Sequence, residues 1–143
     1  MNHVIACDID LRRCHAWSNQ AGRIAYNDTP HSLSAQLVAY NPDVILVEVA
    51  SPIIYNAQPS VLRNKLRWVI YNSWALGYLW PIYNKILVAP SSKWKHGHEE
   101  KALHAMLRIE GDNHDIRECR AMVRMYEMHP ADWVKPETYL EKL

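Results

Sequence analysis

The chain has 143 residues, 49% hydrophobic and 22% charged, a composition that excludes disorder and suits one domain with its own core. Its formal net charge is +1, so no global field draws it to nucleic acid, and any such binding must come from local clusters of Lys and Arg. No apolar run is long enough to span a membrane, and Met1-Asn2-His3 leads directly into a strand rather than a signal peptide.

His3-Val-Ile-Ala-Cys-Asp8 reads as a first strand ending in an acid, with Asp10 two residues on. Arg13 to Trp17 and Arg23 to Tyr26 read as short strands, and Asn19-Gln-Ala-Gly22 supplies the turn between them, giving an antiparallel meander. Asp28-Thr-Pro-His-Ser32 carries N-cap chemistry, with Pro30 suited to a first helical position. A short helix to about Tyr40 is expected, stopped by Asn41-Pro42. Val44-Ile-Leu-Val-Glu48 is a dense apolar run that reads as a buried central strand. A carboxylate near the end of such a strand is costly unless it is paired or coordinates a metal, so Glu48 demands a partner.

The loop from Ser51 to Pro59 holds Ile53, Ile54 and Tyr55. Ser60 can cap a longer helix to about Gly77, with Leu62, Leu66, Val69, Ile70 and Leu76 at helical spacing and Arg63 and Arg67 on another face. Trp68, Tyr71, Trp74, Tyr78 and Trp80 extend the apolar surface around this helix, which implies burial on two sides, within the domain or across a dimer interface. Lys85 to Ala89 is a fifth strand, closed by Pro90-Ser-Ser. Lys93-Trp-Lys-His-Gly-His-Glu-Glu-Lys101 is a basic junction into a helix through about Ile109. Gly111-Asp-Asn113 breaks it, and a last clear helix runs from His114 to about Met128. From position 130 the chain is a tail with a turn at Pro136. The order predicts an α/β fold: three antiparallel strands and a parallel extension in a mixed five-stranded sheet flanked by helices.

Asp8 and Glu48 end strands expected side by side at the centre of the sheet, where sites gather at the carboxyl ends. Asp115 and Glu118, three apart, leave one face of the first turn of the last helix. Each acid alone also fits a turn, an ion pair or a helix N-terminus. Together, these carboxylates from three distant segments suit hard divalent ions and phosphodiester hydrolysis.

This pattern resembles that of RuvC-type Holliday junction resolvases of phages and bacteria, within the ribonuclease H-like superfamily. The likeness is carried by strand-end Asp8, strand-end Glu48 and a late helix opening Asp115-x-x-Glu118, and helped by Ala89-Pro-Ser-Ser-Lys-Trp-Lys95 with Lys101 and by Ser60-Val-Leu. It covers about Val4 to Met128, so positions 1–143 are read as one ribonuclease H-like nuclease domain. The resemblance implies Asp8, Glu48, Asp115 and Glu118 as catalytic ligands of two Mg²⁺ or Mn²⁺ ions. Lys95 or Lys101 would contact the scissile phosphate or stabilise its developing charge. Two positions depart from the family pattern. Ile9-Asp10 replaces a small, turn-forming pair, so Asp10 could share or replace the role of Asp8, and Glu118 stands where Asp is usual.

Basic residues cluster at Arg63, Lys65 and Arg67, at Lys93, Lys95 and Lys101, and at Arg117, Arg120 and Arg124, each a candidate phosphate-positioning ridge or a merely solvated face. The resemblance further implies a homodimer on branched DNA and a loop side chain, here Ile53, Ile54 or Tyr55, wedged at the branch point. Cys7, Cys14 and Cys119, odd in number and inside expected elements, point to a reducing, cytoplasmic setting. His96, His98, His104 and Cys119 match no tight zinc spacing, and Cys119 with His114 is poorly placed for a nucleophilic pair. Two rivals remain open: a transposase-type nuclease domain, and a non-catalytic scaffold that binds DNA or protein.

Overall fold

A computed structural model of the chain describes residues 2–9, 13–49, 58–77 and 79–141. Asp10, Ile53, Ile54, Tyr55 and Tyr78 lie outside the described residues, as do the side chains of Tyr71, Trp74, Leu76 and Trp80.

Five strands form one sheet in the order β3-β2-β1-β4-β5. They are β1 (Val4–Asp8), β2 (Cys14–Ser18), β3 (Gly22–Asp28), β4 (Val44–Val49) and β5 (Ile86–Pro90). β1, β2 and β3 pair antiparallel, and β4 and β5 extend the sheet in parallel from β1. The expected meander and parallel extension are therefore both present. The turn into β3 uses Gly22 at φ +76, a backbone that favours glycine.

Side-chain alternation decides what each face of the sheet carries. On one face, Ile5 and Cys7 of β1 and Ile45, Val47 and Val49 of β4 build a core with Leu33 and Leu37 of α1 (Pro30–Tyr40). Thr29 caps α1 by accepting from the Ser32 N–H at 3.1 Å, and Asn41 ends it at φ 48, ahead of Pro42. On the other face, Val4, Ala6, Leu46 and Ala89 meet Cys119, Met122, Val123 and Met125 of a helix near the chain's end. The period of two continues into the next residues of the same face: after Val4 and Ala6 comes Asp8, and after Leu46 comes Glu48.

The connection α2 (Pro59–Gly77) leaves Leu62, Leu66, Trp68, Val69 and Ile70 exposed. The domain's own core therefore does not cover these side chains, contrary to one of the two expected burials. The basic junction holds α3 (Ser91–Trp94), then α4 (Glu100–Met106). This second helix stops short of the expected Ile109, with Arg108 turned to φ +56. α5 (His114–Met128) follows, capped by Asn113, whose side chain accepts from the Asp115 N–H at 2.9 Å. The tail forms α6 (Pro136–Glu141), and Val134 makes an isolated antiparallel bridge to Val88 on β5.

Candidate active site

Asp8 closes β1, and Glu48 is one residue short of the end of β4. The register pairs Cys7 with Val47, so Asp8 and Glu48 are the next residues on neighbouring parallel strands. Both fall on the face that α5 covers. α5 packs there because Ile116, Cys119, Met122 and Val123 recur at helical spacing and are fully buried. Its first turn reaches the carboxyl ends of the central strands and brings Asp115 and Glu118 with it.

The four expected acids do not form a single knot. Asp8 and Asp115 join His15 of β2, with one oxygen or nitrogen from each lying within 4.8 Å of the others. His15 is the residue directly across from Asp8 in the antiparallel register. Its Nδ1 accepts from the Asn27 N–H at 3.3 Å, which leaves the proton on Nε2, 3.4 Å from Asp115 Oδ2. In this tautomer His15 orients Asp115 and offers no lone pair to a cation.

Glu118 turns the other way, toward the expected Lys95 and toward Glu100, His104 and His114, which the sequence reading did not group with the acids. It shares a side of α5 with Ala121, Met122 and Met125, which carries it into the interior, where it is 8% exposed. Lys95 Nζ lies 3.2 Å from its Oε1, and His104 Nε2 lies 3.8 Å from its Oε2. Glu100 and His114 complete the group: His114 Nε2 lies 3.0 Å from Glu100 Oε1, and donors of Glu100, His114 and Glu118 lie within 4.8 Å of one another. Burial, then a hydrogen bond with Glu100, pushes the Glu118 carboxyl up to about 8, against the pull of Lys95. Burial acts in the same sense on Glu100. The hydrogen bond from Glu118, together with His114, Lys95 and His104, overrides it and holds Glu100 below the ordinary value. One proton is thus shared, with Glu118 donating to Glu100.

Glu48 lies between the two groups. Burial raises its carboxyl, Lys95 and the Trp94 indole act against that, and Glu100 adds to it. Lys95 therefore bears on both Glu48 and Glu118. Lys101 is exposed on α4 beside an open cleft of about 670 Å³ whose lining includes Glu100, His104, His114 and Arg117.

The other expected contacts are distributed around this centre. Arg117 and Arg120 of α5 reach back to the loop before it: Arg117 donates to the Asp112 carbonyl at 3.4 Å, and Arg120 pairs with Asp112 at 3.8 Å. Arg120 also stacks over Trp17 at 5.6 Å. Arg124 and Lys93 are exposed. Arg63, Lys65 and Arg67 sit on α2. Cys119 is fully buried and donates to the His15 carbonyl, and burial pushes its thiol far up, which rules out a thiolate pair with His114.

His15 was readable in principle, as the strand residue facing Asp8. Glu100 and His104, and His114 and Glu118, are each an i, i+4 pair on a helix, a spacing that places both side chains on one face. That spacing was the available signal.

The structure is similar to RuvC of Thermus thermophilus in complex with a Holliday junction substrate, with a TM-score of 0.61 over 92% of this chain and 96% of that chain, at 12% identity. A second Thermus thermophilus RuvC structure gives 0.60 over 90% and 95%, at 10% identity. The fold is that of RuvC, of the ribonuclease H-like type. No protein-family model and no curated protein matches the sequence. Likeness to RuvC at this identity speaks for the fold, and the chemistry rests on the residues above.

Proposed function

We propose that the chain is a metal-dependent, structure-selective endonuclease that cuts branched DNA, in particular four-way junctions. The observation that carries this reading is the arrival of Asp8, Glu48, Asp115 and Glu118 from β1, β4 and α5 at the carboxyl ends of the central strands, within a RuvC fold. The donor set fits hard divalent ions. Asp8, Glu48 and Asp115 offer oxygen ligands, and the carboxyls of Glu48 and Glu118 are raised first by burial, against the pull of Lys95. These four acids would hold two Mg²⁺ or Mn²⁺ ions, which when bound supply an activated water and stabilise the leaving oxygen.

The chain's own residues do the rest. Lys95, partly buried beside Glu48 and Glu118, is placed to meet a phosphate oxygen and the charge that builds on it. His15 holds Asp115 in one orientation. Arg63, Lys65 and Arg67 on α2, Lys93, Lys101, and Arg117 and Arg120 on α5 would bind backbone phosphates and set the register of the DNA without reading its sequence. Tyr55 would wedge at the branch point. The exposed apolar stripe Leu62, Leu66, Val69 and Ile70 supports a homodimer, which would present two sites to a two-fold branched substrate in the cytoplasm.

A second reading, a non-catalytic scaffold that binds branched DNA, is favoured by one observation: Lys95 and Glu100 already occupy Glu118. A labelled synthetic four-way junction incubated in Mg²⁺ and in Mn²⁺, beside linear duplex and the Glu48→Gln variant, separates the two. Paired nicks near the branch point, lost in Glu48→Gln, are expected. Binding without cleavage by the unaltered protein would establish the scaffold instead.

A further inference from the structure

We propose that Glu100, His104, His114 and Glu118 form a mixed imidazole–carboxylate site for a transition-metal dication of the Zn²⁺ class. The site shares Glu118 with the two-ion reading above and rests on that reading only there. Its geometry comes from two helices that meet with the same spacing reversed. α4 presents Glu100 and His104 at i, i+4, and α5 presents His114 and Glu118 at i, i+4. Donor atoms of Glu100, His114 and Glu118 already lie within 4.8 Å of one another. Tetrahedral ligands at Zn²⁺ distances stand about 3.4 Å apart, so small side-chain movements would close the set.

A second observation points to a ligand independently of the acids. His104 is nine-tenths buried, its Nε2 faces Glu118 at 3.8 Å, and it has no hydrogen-bond partner among the described residues. A buried ring nitrogen without a partner is costly in an ordinary interior, and a metal bond satisfies it. Glu100 Oε1 and Glu118 Oε1 are also buried, and each is held by an ion pair, with His114 and with Lys95. Lys95 does not take the ion's place, because it lies on Oε1 of Glu118 while His104 faces Oε2.

Ligand chemistry sets the ion. Carboxylate and water suit Mg²⁺ and Mn²⁺, whereas imidazole nitrogen shifts preference toward Zn²⁺ and its neighbours. The cleft of about 670 Å³ beside Glu100, His104 and His114 gives the ion an entry path.

The test is titration of the intact protein with Co²⁺, a spectroscopic substitute for Zn²⁺, followed by its visible absorption and by calorimetry, with thermal unfolding in Zn²⁺ as a third readout. One strong site is expected, with a melting temperature that rises on Zn²⁺ addition. The His114 side chain is 53% exposed, so His114→Ala should fold normally; it should weaken binding about tenfold or more and abolish the thermal shift. His104→Gln should do the same, while Asp8→Asn should change Co²⁺ affinity by less than about twofold. Absence of Co²⁺ binding, or binding that survives His114→Ala and disappears in Asp8→Asn, would overturn the proposal. Junction cleavage in Mg²⁺ is scored separately, so a chain that never cuts but binds Co²⁺ through His114 keeps this site and loses only the nuclease reading.

Discussion

Glu118 is set by burial against its own charge. It ionises near 4.5 in an unfolded chain and about 8 in the folded one, so the unfolded chain gives up the proton first. Its contribution to stability is therefore complete below 4.5 and is lost as pH rises through about 8. His104 works in the opposite direction. Its folded value lies below the ordinary 6.5, so stability is lost as pH falls below that value and the unfolded chain takes the proton. Glu118→Gln keeps a donor toward Glu100 and cannot ionise. Measured by denaturant unfolding above pH 8, it should be more stable than the unaltered protein by about 1–3 kcal/mol, the cost of an uncompensated buried polar group. Parallel stability curves for the two proteins between pH 4.5 and about 8 would contradict the shared proton. Four of the residues around this centre were visible in the sequence because carboxylates at strand ends and in a helix's first turn stand out against apolar runs. Glu100 and His104 were not, because nothing local says which face of α4 meets α5.

Among the elements, α5 fixes the site. Met122 is fully buried on the side of α5 that meets β1, and Met122→Ala should cost about 2–5 kcal/mol by leaving a cavity there. Because Asp115 and Glu118 ride on the same helix, loss of junction cleavage should accompany that destabilisation even at temperatures where the variant stays folded. The strand pattern was legible because a period of two leaves little choice: once Val4, Ala6 and Leu46 face α5, Asp8 and Glu48 must as well. α2 was legible as a helix and not as a buried one, since apolar spacing reports a stripe and not what covers it. Leu66, 51% exposed at the middle of that stripe, is the place to probe the proposed dimer. Leu66→Glu should shift sedimentation from dimer to monomer while leaving the helical signal in circular dichroism intact. An unchanged sedimentation profile would leave the stripe without that role.

For the whole molecule, a net charge of +1 means that attraction to DNA must be regional. Arg63 and Arg67 are separated from the acidic centre in the chain and share one side of α2. If they bind phosphates, Arg63→Ala and Arg67→Ala should each reduce the slope of log affinity against log salt by about one, for junctions and for duplex alike. The double variant should retain Co²⁺ binding, since neither residue belongs to the metal-ligating groups.

The tail has a part in solubility that its length does not advertise. β5 is an outer strand, and an uncovered outer strand offers its amides and carbonyls to any passing chain. Val134 occupies that rim: the Val88 N–H donates to its carbonyl at 2.8 Å, and its own N–H returns to Val88 at 3.1 Å. Trp133 is buried beside Trp94, so the clasp is anchored by ring contact as well as by the backbone. Cutting the chain ahead of Trp133 would retain Asp8, Glu48, Asp115 and Glu118 and yet should make the protein stick to copies of itself, strand to strand, as concentration rises.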